Sequence, residues 1–381
     1  MDQRYHERAV AYFRGAFEHC LERTLALPPA PALHAELAAH FAAVHLVDST
    51  AFDVPASLAA LYPGCGGDAS TANVKILLCY EYLCGQFAPV KLVPGKQSDQ
   101  GLAGDVPRLV HARELLIADK AFVKLQALQD IEQAGGYFLM PWNRSVGLWQ
   151  RPSQGAPQAL DLAAALRASA SNVFERPAIQ LGAQPGAPIV RLVAFRLKEA
   201  SANRARAGLR EAQRKQGRTP SALSLELAGW LILLTNVPAE KLPVTAVGYL
   251  YRVRWQIELV FKQCKSVLRL HVTEALKNDA RVQCEIWARL IGALAVFGWH
   301  GHLQAASWAR RRAELSFAQV ARQLQARGLS LAEALIAGGE RLREWLWQVW
   351  SHLLLTTRKD WRARKTTWQA LQENWFPAAP P

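Results

Sequence analysis

Residues 251–265 read YRVRWQIELVFKQCK, and the spacing of their side chains sets how the surrounding sequence is interpreted. Tyr251, Arg254, Glu258, Lys262 and Lys265 follow one another at intervals of three, four, four and three residues. Because an α-helix has 3.6 residues per turn, these side chains are predicted to share one helix face. The apolar residues that fall mainly on the other side, and can pack against a core, are Val253, Ile257, Val260, Phe261 and Cys264.

Two interpretations of the polar face of this helix are open. In the first, Glu258 binds a metal ion while the neighbouring cations bind a row of phosphates. In the second, the face is solvated and Glu258 forms ion pairs with Arg254 and Lys262, each contributing only about a few tenths of a kcal/mol. Spacing alone slightly favours the second interpretation.

Two apolar segments that are predicted to be β-strands each end in an aspartate. Residues 44–47 lead to Asp48, and residues 115–118 lead to Asp119. An aspartate at the carboxyl end of a strand lies on the rim of a sheet, where it can face a ligand. Together with Glu258, these two aspartates would provide the oxygen ligands that Mg²⁺ prefers. An aspartate taken alone is more often a turn or cap residue, and that interpretation is kept for Asp53, Asp99, Asp105 and Asp130.

The rest of the chain indicates a mixed α/β protein. Strands are predicted at 74–82, 89–93, 137–140, 189–197 and 230–234. Helices are predicted at 4–24, 31–43, 102–112, 121–134, 201–218, 245–268, 279–300, 345–355 and 361–374. Residues 143–227 are rich in Pro, Gly and Ala, which suggests a β-containing insertion that carries the basic helix 201–218.

The charge of the chain favours a polyanionic partner. Forty-five Lys and Arg residues against thirty-one Asp and Glu residues give a net charge of +14 and a pI near 9.8. Each phosphate that such a protein neutralises releases condensed counterions, which favours binding. On charge alone, a basic soluble protein without such a partner is equally compatible.

Composition argues against several other protein classes. The hydrophobic fraction of 51% and charged fraction of 20% are typical of a globular protein. No run of 18 apolar residues lacks a charge, and no apolar segment follows the charges of the amino terminus, so neither a membrane span nor a secretory signal is expected. The six cysteines lack paired metal-binding spacings and are expected to be reduced thiols. Trp345, Trp347 and Trp350 lie on an apolar stretch that is either core or, less commonly, a contact surface.

Four blocks, in one order, resemble a known family. Y-x2-R-x3-E-x6-K, formed by Tyr251, Arg254, Glu258 and Lys265, resembles the signature of the IS4 family of bacterial insertion-sequence transposases. LVDSTAFDVP (46–55) and LLIADKAF (115–122) resemble the blocks around the first and second aspartates of that family, and AGWLILLTNVP (228–238) resembles the strand before its signature. The resemblance spans about residues 44–270.

The resemblance implies a DDE transposase that carries out metal-dependent cleavage at transposon ends and strand transfer into target DNA. It implies an α/β fold with a ribonuclease H-like core, that is, a mixed sheet flanked by helices, with a β-rich insertion and helical terminal regions. The implied domain limits are 1–43 for the helical amino-terminal region, 44–142 and 236–300 for the two parts of the core, 143–235 for the insertion and 301–381 for the helical carboxyl-terminal region.

The resemblance also implies roles for individual residues. Asp48, Asp119 and Glu258 correspond to the ligands of two Mg²⁺ ions, with Mn²⁺ as an expected substitute. The residues implied to contact DNA are Tyr251, Arg254, Trp255, Lys262 and Lys265, although a core role for Trp255 is equally compatible. The implied partners are double-stranded DNA, as terminal inverted repeats and as target, and a second copy of the chain in a homodimer on DNA. The implied location is the bacterial cytoplasm, at the nucleoid.

Two departures from the family pattern leave alternatives open. Only 47 residues precede Asp48, fewer than relatives usually carry, which leaves open a shortened copy. Lys120-Ala121-Phe122 follows Asp119 at a place where the family more often has a glycine, so the turn is expected to be more constrained. The alternatives to an active transposase are an inactive DNA-binding descendant and a structure-selective nuclease on the same fold.

Overall fold

The computed structural model of the chain describes residues 4–25, 35–66, 70–150, 156–272, 278–311 and 313–359. The chain divides into two compact units. Among the described residues, unit 1 contains those up to residue 98 and those from residue 255 onward, and unit 2 contains residues 99–254. Unit 1 is therefore assembled from two separate segments of the chain, with unit 2 between them in sequence.

Ten strands and thirteen α-helices form within the described ranges. Up to residue 141 they are α1 (Glu7–Leu25), α2 (Ala35–His40), β1 (Val44–Asp53), β2 (Asn73–Glu81), β3 (Gln86–Pro94), α3 (Asp99–Leu102), β4 (Leu115–Ala118), α4 (Leu125–Gln133) and β5 (Tyr137–Pro141). Then follow β6 (Leu148–Gln150), β7 (Gln158–Ala159), α5 (Leu162–Ala168), β8 (Val173–Leu181), β9 (Ile189–Arg196), α6 (Glu199–Arg214), α7 (Ala222–Leu227) and β10 (Trp230–Thr235). The remaining helices are α8 (Val244–Arg252), α9 (Trp255–Ser266), α10 (Asp279–Arg311), α11 (Phe317–Ala326), α12 (Gly328–Ala337) and α13 (Gly339–Thr356).

The strands of unit 1 are neighbours in the order β3-β2-β1 and run antiparallel. β1 pairs with β2 from His45, opposite Glu81, to Asp53, opposite Asn73. The prediction that this strand ends at Asp48 is therefore wrong. The strand continues because β2 provides a hydrogen-bonding partner along the whole segment and because Phe52, near its end, is buried.

Helix α10 forms the centre of unit 1. It packs against α1, β3, α11 and α13, and the ring centroids of Phe17 in α1 and Trp287 in α10 lie 5.3 Å apart. It is also the one described helix whose length and composition would suffice to span a membrane, and half of its most apolar stretch is buried within the protein. Core helices of soluble proteins meet the same criteria, so this helix is accounted for by packing.

The carboxyl-terminal helices of unit 1 close around a second apolar cluster, formed by Leu303, Leu315, Val320, Val349 and Leu353. Trp345 and Trp350 pack against this cluster, and the indole N–H of Trp345 donates to Ser330 Oγ at 3.0 Å. Trp347 is instead 68% exposed. Two of the three tryptophans are thus partly buried against the core, and the third lies at the surface. The predicted helix 361–374 lies outside the described residues.

The strands of unit 2 form a mixed sheet in the order β4-β5-β10-β9-β8-β6-β7. β4 and β5 are parallel, and the other neighbouring pairs are antiparallel. Every residue of β4 is fully buried, as its unbroken apolar sequence predicted. The other strands of the predicted insertion extend this sheet beyond β10. The mixed sheet and the helices together confirm the mixed α/β class inferred from the sequence.

Three predicted helices of unit 2 have other bounds. The predicted helix 102–112 is wrong: α3 ends at Leu102 and a 3₁₀ turn follows at Val106–Leu109, because Gly104 and Pro107 interrupt the helical pattern. The helix predicted at 121–134 begins only at Leu125, since residues 120–122 form another 3₁₀ turn. The basic helix predicted at 201–218 is α6, which ends at Arg214.

None of the six cysteines forms a disulfide, which agrees with the prediction of reduced thiols. Cys79, Cys264 and Cys284 are buried, and Cys65 is exposed. Burial raises the pKa of Cys264 to about 12, so its thiolate does not form at neutral pH. The buried cysteines are therefore packing residues.

Candidate active site

Asp48 lies in the middle of β1, opposite Leu78 of β2. Its side chain is half-buried, and Oδ1 accepts a hydrogen bond from the backbone N–H of Ser49 at 2.8 Å. Val47, which precedes it, is fully buried. β1 pairs with β2 both before and after Asp48, so the backbone that carries this carboxylate is fixed by the register of the two strands.

The start of β1 is held by Glu81, a residue that the sequence analysis did not single out. Its side chain is 8% exposed, and its carboxylate accepts from the backbone N–H groups of Val44 (2.9 Å), Leu83 (3.1 Å) and Cys84 (2.7 Å). These donors come from two chain segments that only the pairing of β1 with β2 brings together. No local sequence pattern could therefore have identified Glu81.

Asp119 directly follows the buried strand β4, as predicted. Its backbone is extended, and its side chain accepts from the N–H of Lys120 at 2.6 Å, which caps the 3₁₀ turn Lys120–Phe122. The side-chain amide of Asn143 donates to the carbonyl of Lys120 at 3.4 Å. The half-buried carboxylate is thus placed by the end of the strand and by the turn that it caps.

The absence of glycine after Lys120 causes no backbone strain. Among the described residues, the non-glycine positions with positive φ are Arg113 and Arg269, and Ala121 is not one of them. The turn after Asp119 therefore does not need the conformational freedom of glycine, and the expected constraint at this departure from the family pattern is absent.

The segment LLTNVP in residues 233–238 joins β10 to β5, the parallel neighbour of β4. Thr235 Oγ1 donates to the carbonyl of Phe138 at 2.6 Å. Asn236 accepts from the N–H of Phe138 at 2.8 Å and donates to the carbonyl of Gly136 at 2.9 Å. This block therefore has a structural role, because it fixes the strands beside the one that ends at Asp119.

The segment that carries Tyr251, Arg254 and Glu258 is not one continuous helix. α8 ends at Arg252, and α9 begins at Trp255. At the break, the N–H of Val253 binds the carbonyl of Leu250 and the N–H of Arg254 binds that of Tyr251, each three residues back. The prediction of one continuous helix at 245–268 is therefore wrong, because hydrogen bonds between residues three apart replace the α-helical ones where the chain leaves unit 2. The five polar side chains lie on two helices and the turn between them.

Helix α9 carries Glu258 in its first turn and packs against β1, both within unit 1. The predicted apolar face is confirmed, since Ile257, Val260, Phe261 and Cys264 are all buried. Glu258 itself is half-buried. The helix that carries one predicted ligand thus lies on the strand that carries another, Asp48.

The two predicted lysines of α9 differ in their surroundings. Lys265 Nζ donates to the carbonyl of Ala51 in β1 at 3.0 Å, and partial burial lowers the pKa of its ammonium group. Lys262 is exposed. Lys265 therefore links α9 to β1, whereas Lys262 faces solvent and is accessible to a ligand.

The other predicted DNA contacts lie on both sides of the break. Arg254 is half-buried, with its guanidinium carbon 6.0 Å from the ring centroid of Tyr251. Trp255, the first residue of α9, is 55% exposed. This exposure argues against a core role for Trp255, which the sequence had left open, and is compatible with stacking on a base.

Comparison with known proteins identifies the family. Residues 40–294, about two thirds of the chain, match the family model described as the transposase DDE domain. The chain belongs to the transposase DDE-domain family. The matched range of this DDE-domain chain includes Asp48, Asp119 and Glu258 together with the break between α8 and α9.

The relatives of this DDE-domain chain are named as transposases of insertion sequence elements, in agreement with the resemblance found in the sequence. The transposase for insertion sequence element IS231F of Bacillus thuringiensis subsp. israelensis is 28% identical over 306 residues, which cover 76% of this chain and 63% of the relative. The transposase for IS231E of Bacillus thuringiensis subsp. finitimus is 26% identical, with coverage of 96% and 79%. The transposase for IS1151 of Clostridium perfringens is 24% identical, with coverage of 77% and 64%. The predicted resemblance to IS4-family transposases is confirmed, while the chain spans under two thirds of the first of these relatives.

The three predicted metal ligands of this DDE-domain chain are divided between the two units. Asp48 and Glu258 lie on elements of unit 1 that pack together, and Asp119 belongs to unit 2. Within the ranges that the structure describes, no three His, Cys, Asp or Glu side chains form a group that could hold a metal ion. The shared metal site therefore stays a prediction.

Proposed function

We propose that the chain is a DNA transposase that cleaves at the ends of an insertion sequence and transfers the freed ends into target DNA. The observation that carries this proposal is the family match over residues 40–294, together with relatives that are named as transposases for insertion sequence elements. The core would be ribonuclease H-like, formed by residues 44–142 and 236–300, with 143–235 as the insertion and helical regions at 1–43 and 301–381. The parallel pair β4-β5 and the buried strand before Asp119 support this assignment.

Asp48, Asp119 and Glu258 would hold two Mg²⁺ ions, for which Mn²⁺ would substitute. Three carboxylates fit these ions by chemistry, because hard divalent cations prefer oxygen ligands. When bound, the ions would lower the pKa of the attacking hydroxyl and stabilise the leaving oxygen of an in-line displacement at phosphorus. Each carboxylate is half-buried, which limits the conformational freedom that the side chain would lose on binding an ion.

The contact between Lys265 and Ala51 supports the pairing of Glu258 with Asp48. Counted back from this contact, Glu258 is seven helical residues away, or about 10 Å at 1.5 Å per residue. Asp48 is three strand residues away, also about 10 Å at 3.3 Å per residue. The proposal further takes α9 to run alongside β1 in the same direction, in which case equal lengths bring the two carboxylates level.

The remaining residues of the site would hold the substrate. Arg254, Tyr251 and the exposed Lys262 would position phosphates, and the exposed Trp255 would stack on an unpaired base. Cleavage and strand transfer are both in-line displacements at phosphorus, so one site can serve both steps by positioning and charge neutralisation. The enzyme would act as a homodimer on double-stranded DNA, at the nucleoid in the bacterial cytoplasm.

The two lysines of α9 should respond differently to substitution. Lys262→Ala should leave the unfolding temperature unchanged and make the salt dependence of DNA binding less steep by about 0.9, the contribution of one phosphate contact. Lys265→Ala removes the hydrogen bond to Ala51 and should lower the free energy of unfolding by about 1 kcal/mol. Thermal unfolding and DNA titrations at several salt concentrations measure both effects. An unchanged unfolding temperature in Lys265→Ala would contradict its structural role.

An excision assay tests the proposed function. Purified protein, Mg²⁺ and a linear DNA with the terminal inverted repeats of its own element should give double-strand breaks at the repeat ends, and target DNA should then receive those ends. Binding to the repeats without cleavage would indicate an inactive DNA-binding descendant. Cleavage that ignores the repeats, without joining, would indicate a structure-selective nuclease. Either of these results would overturn the proposal.

A further inference from the structure

Helix α6 and the turn after it concentrate positive charge in unit 2. Between Lys198 and Arg218 the sequence has seven basic and two acidic side chains, which together carry five of the fourteen net positive charges of the chain. Six of the seven basic side chains are exposed, and all of these except Lys198 lie within α6 or just after it: Arg204, Arg210, Arg214, Lys215 and Arg218. These five residues are named the α6 surface.

The acidic residues of the segment do not neutralise the α6 surface. Glu211 forms ion pairs with Arg214 at 3.0 Å and with Lys215 at 3.8 Å, and Glu199 lies 3.4 Å from Arg206, which is outside the surface. Among the residues that the structure describes, Arg204, Arg210 and Arg218 form no ion pair with an acidic side chain. Three of the five cations therefore have no acidic partner among these residues, and the α6 surface keeps a net positive charge.

The helix beneath this surface is firmly held. Ala202 is 2% exposed, and Arg206 Nε donates to the carbonyl of Leu225 at 3.2 Å, which ties α6 to α7. Just before the helix, the N–H of Leu197 binds the carbonyl of Gly229 at 2.9 Å. The exposed cations are therefore presented by a fixed support, so binding costs less ordering of the backbone.

Local helix stability does not explain this distribution of charge. Cations near a helix carboxyl terminus are favoured by the helix dipole, which accounts for Arg214 and Lys215. At the other end, Lys198 at the amino-terminal cap stands beside the acidic Glu199 of the first turn, and the dipole does not account for Arg204 and Arg210 in the middle of the helix. Exposed positive charge that the dipole does not explain points to an external anion.

We propose that the α6 surface binds the phosphate backbone of duplex DNA without regard to base sequence. The choice of DNA as the partner rests on the proposed transposase function, and the placement of the surface rests on charge and exposure. From Arg204 to Lys215 the helix rises about 16 Å, which matches about five base pairs at 3.4 Å each. The surface would supply affinity for DNA of any sequence, such as the target, and would not take part in the chemical steps.

The test removes the three unpaired charges together. Arg204→Gln, Arg210→Gln and Arg218→Gln are combined in one full-length variant, and Arg206 is kept because it anchors the helix. The control combines Arg322→Gln, Arg341→Gln and Arg343→Gln, three exposed arginines of α11 and α13. Both variants lose the same net charge. Binding to a random-sequence duplex is measured from 50 to 300 mM salt.

The α6 variant should bind this duplex at least about tenfold more weakly at 100 mM salt, with a salt slope less steep by about 2–3. The control should stay within about twofold of the wild-type protein, and both variants should unfold at the wild-type temperature. Single-turnover cleavage by the α6 variant at saturating DNA and low salt should be unchanged.

The outcomes separate this inference from the proposed function. If the wild-type protein binds and cleaves DNA but the α6 variant keeps its affinity and slope, or the control loses as much, the α6 proposal is overturned alone. If polyglutamate or single-stranded RNA binds the α6 surface and the duplex does not, the assigned partner is wrong. A wild-type protein with no salt-dependent duplex binding would instead contradict the transposase function.

Discussion

Asp119→Asn should reduce cleavage at transposon ends by at least about 10³-fold while leaving duplex binding intact. Loss of a residue that only supports a metal ligand already costs about 10–100-fold, and loss of a ligand should cost more. In the wild-type protein Asp119 accepts from the N–H of Lys120 at 2.6 Å. Asparagine has the same size as aspartate and keeps an oxygen that can accept this hydrogen bond. The turn after β4 should therefore survive, and only the negative charge is lost. Asp48→Asn and Glu258→Gln should have effects of the same size.

A matched control for these variants lies on the same strand as Asp48. Asp53 ends β1, and its carboxylate accepts from the amide of Asn73 at 2.8 Å. Asp53→Asn should cleave within about threefold of the wild-type rate, because a cap residue away from the site does not change the transition state. Rates are compared under single-turnover conditions with Mg²⁺ and preformed end DNA. An Asp119→Asn enzyme that retained a tenth of the wild-type rate would remove this residue from the metal site.

Glu81→Ala should produce the largest loss of stability among substitutions outside the core side chains. Its carboxylate satisfies three backbone N–H groups, of Val44, Leu83 and Cys84, at a position that is 8% exposed. A buried donor left without a partner costs about 1–3 kcal/mol, so a total loss of about 3 kcal/mol or more is expected. Because Val44 begins the strand that carries Asp48, cleavage should fall as well.

Two further variants identify the cause of this loss. Glu81→Gln keeps the shape and one acceptor oxygen, so it should lose less stability than Glu81→Ala. Glu132→Gln, at an exposed position of α4, should be neutral. Unfolding by urea, followed by far-ultraviolet circular dichroism, measures all three. Equal stability of Glu81→Ala and the wild-type protein would show that the three hydrogen bonds do not hold β1.

Elements with an unbroken local pattern were predictable from the sequence. The apolar run of residues 115–118 predicted the buried strand β4, and the charge that follows placed Asp119 at its end. The repeat of apolar residues in α9 predicted its buried face, because Ile257, Phe261 and Cys264 recur at helical spacing. In both cases the pattern that predicts burial is complete within a few neighbouring residues.

Features that depend on distant segments were not predictable in the same way. β1 continues past Asp48 because β2 pairs with it, and the pairing partner is not visible from the local sequence. The break at Val253–Arg254 coincides with the boundary between the two units, whereas the helical periodicity of the residues runs through it. Propensity and spacing favour one helix there, and tertiary structure overrides them.

The candidate site shows the same division. The identities of Asp48, Asp119 and Glu258 come from their resemblance to family blocks, and the strand and helix that carry them have the predicted types. The roles of Lys265 and Glu81 depend on contacts with β1, which only the fold creates. The sequence therefore predicts which residues carry the chemistry of the candidate site, whereas the side chains that hold β1 in place follow only from the fold.

The most direct measurement is anomalous diffraction from crystals of the protein bound to end DNA with Mn²⁺. Shared binding by Asp48, Asp119 and Glu258 predicts manganese peaks with a carboxylate oxygen of each residue about 2.1–2.2 Å from an ion. Asp119→Asn crystals should lose at least one of these peaks. Manganese held by other side chains, with any one of the three carboxylates more than about 10 Å from the ions in the DNA complex, would contradict the account.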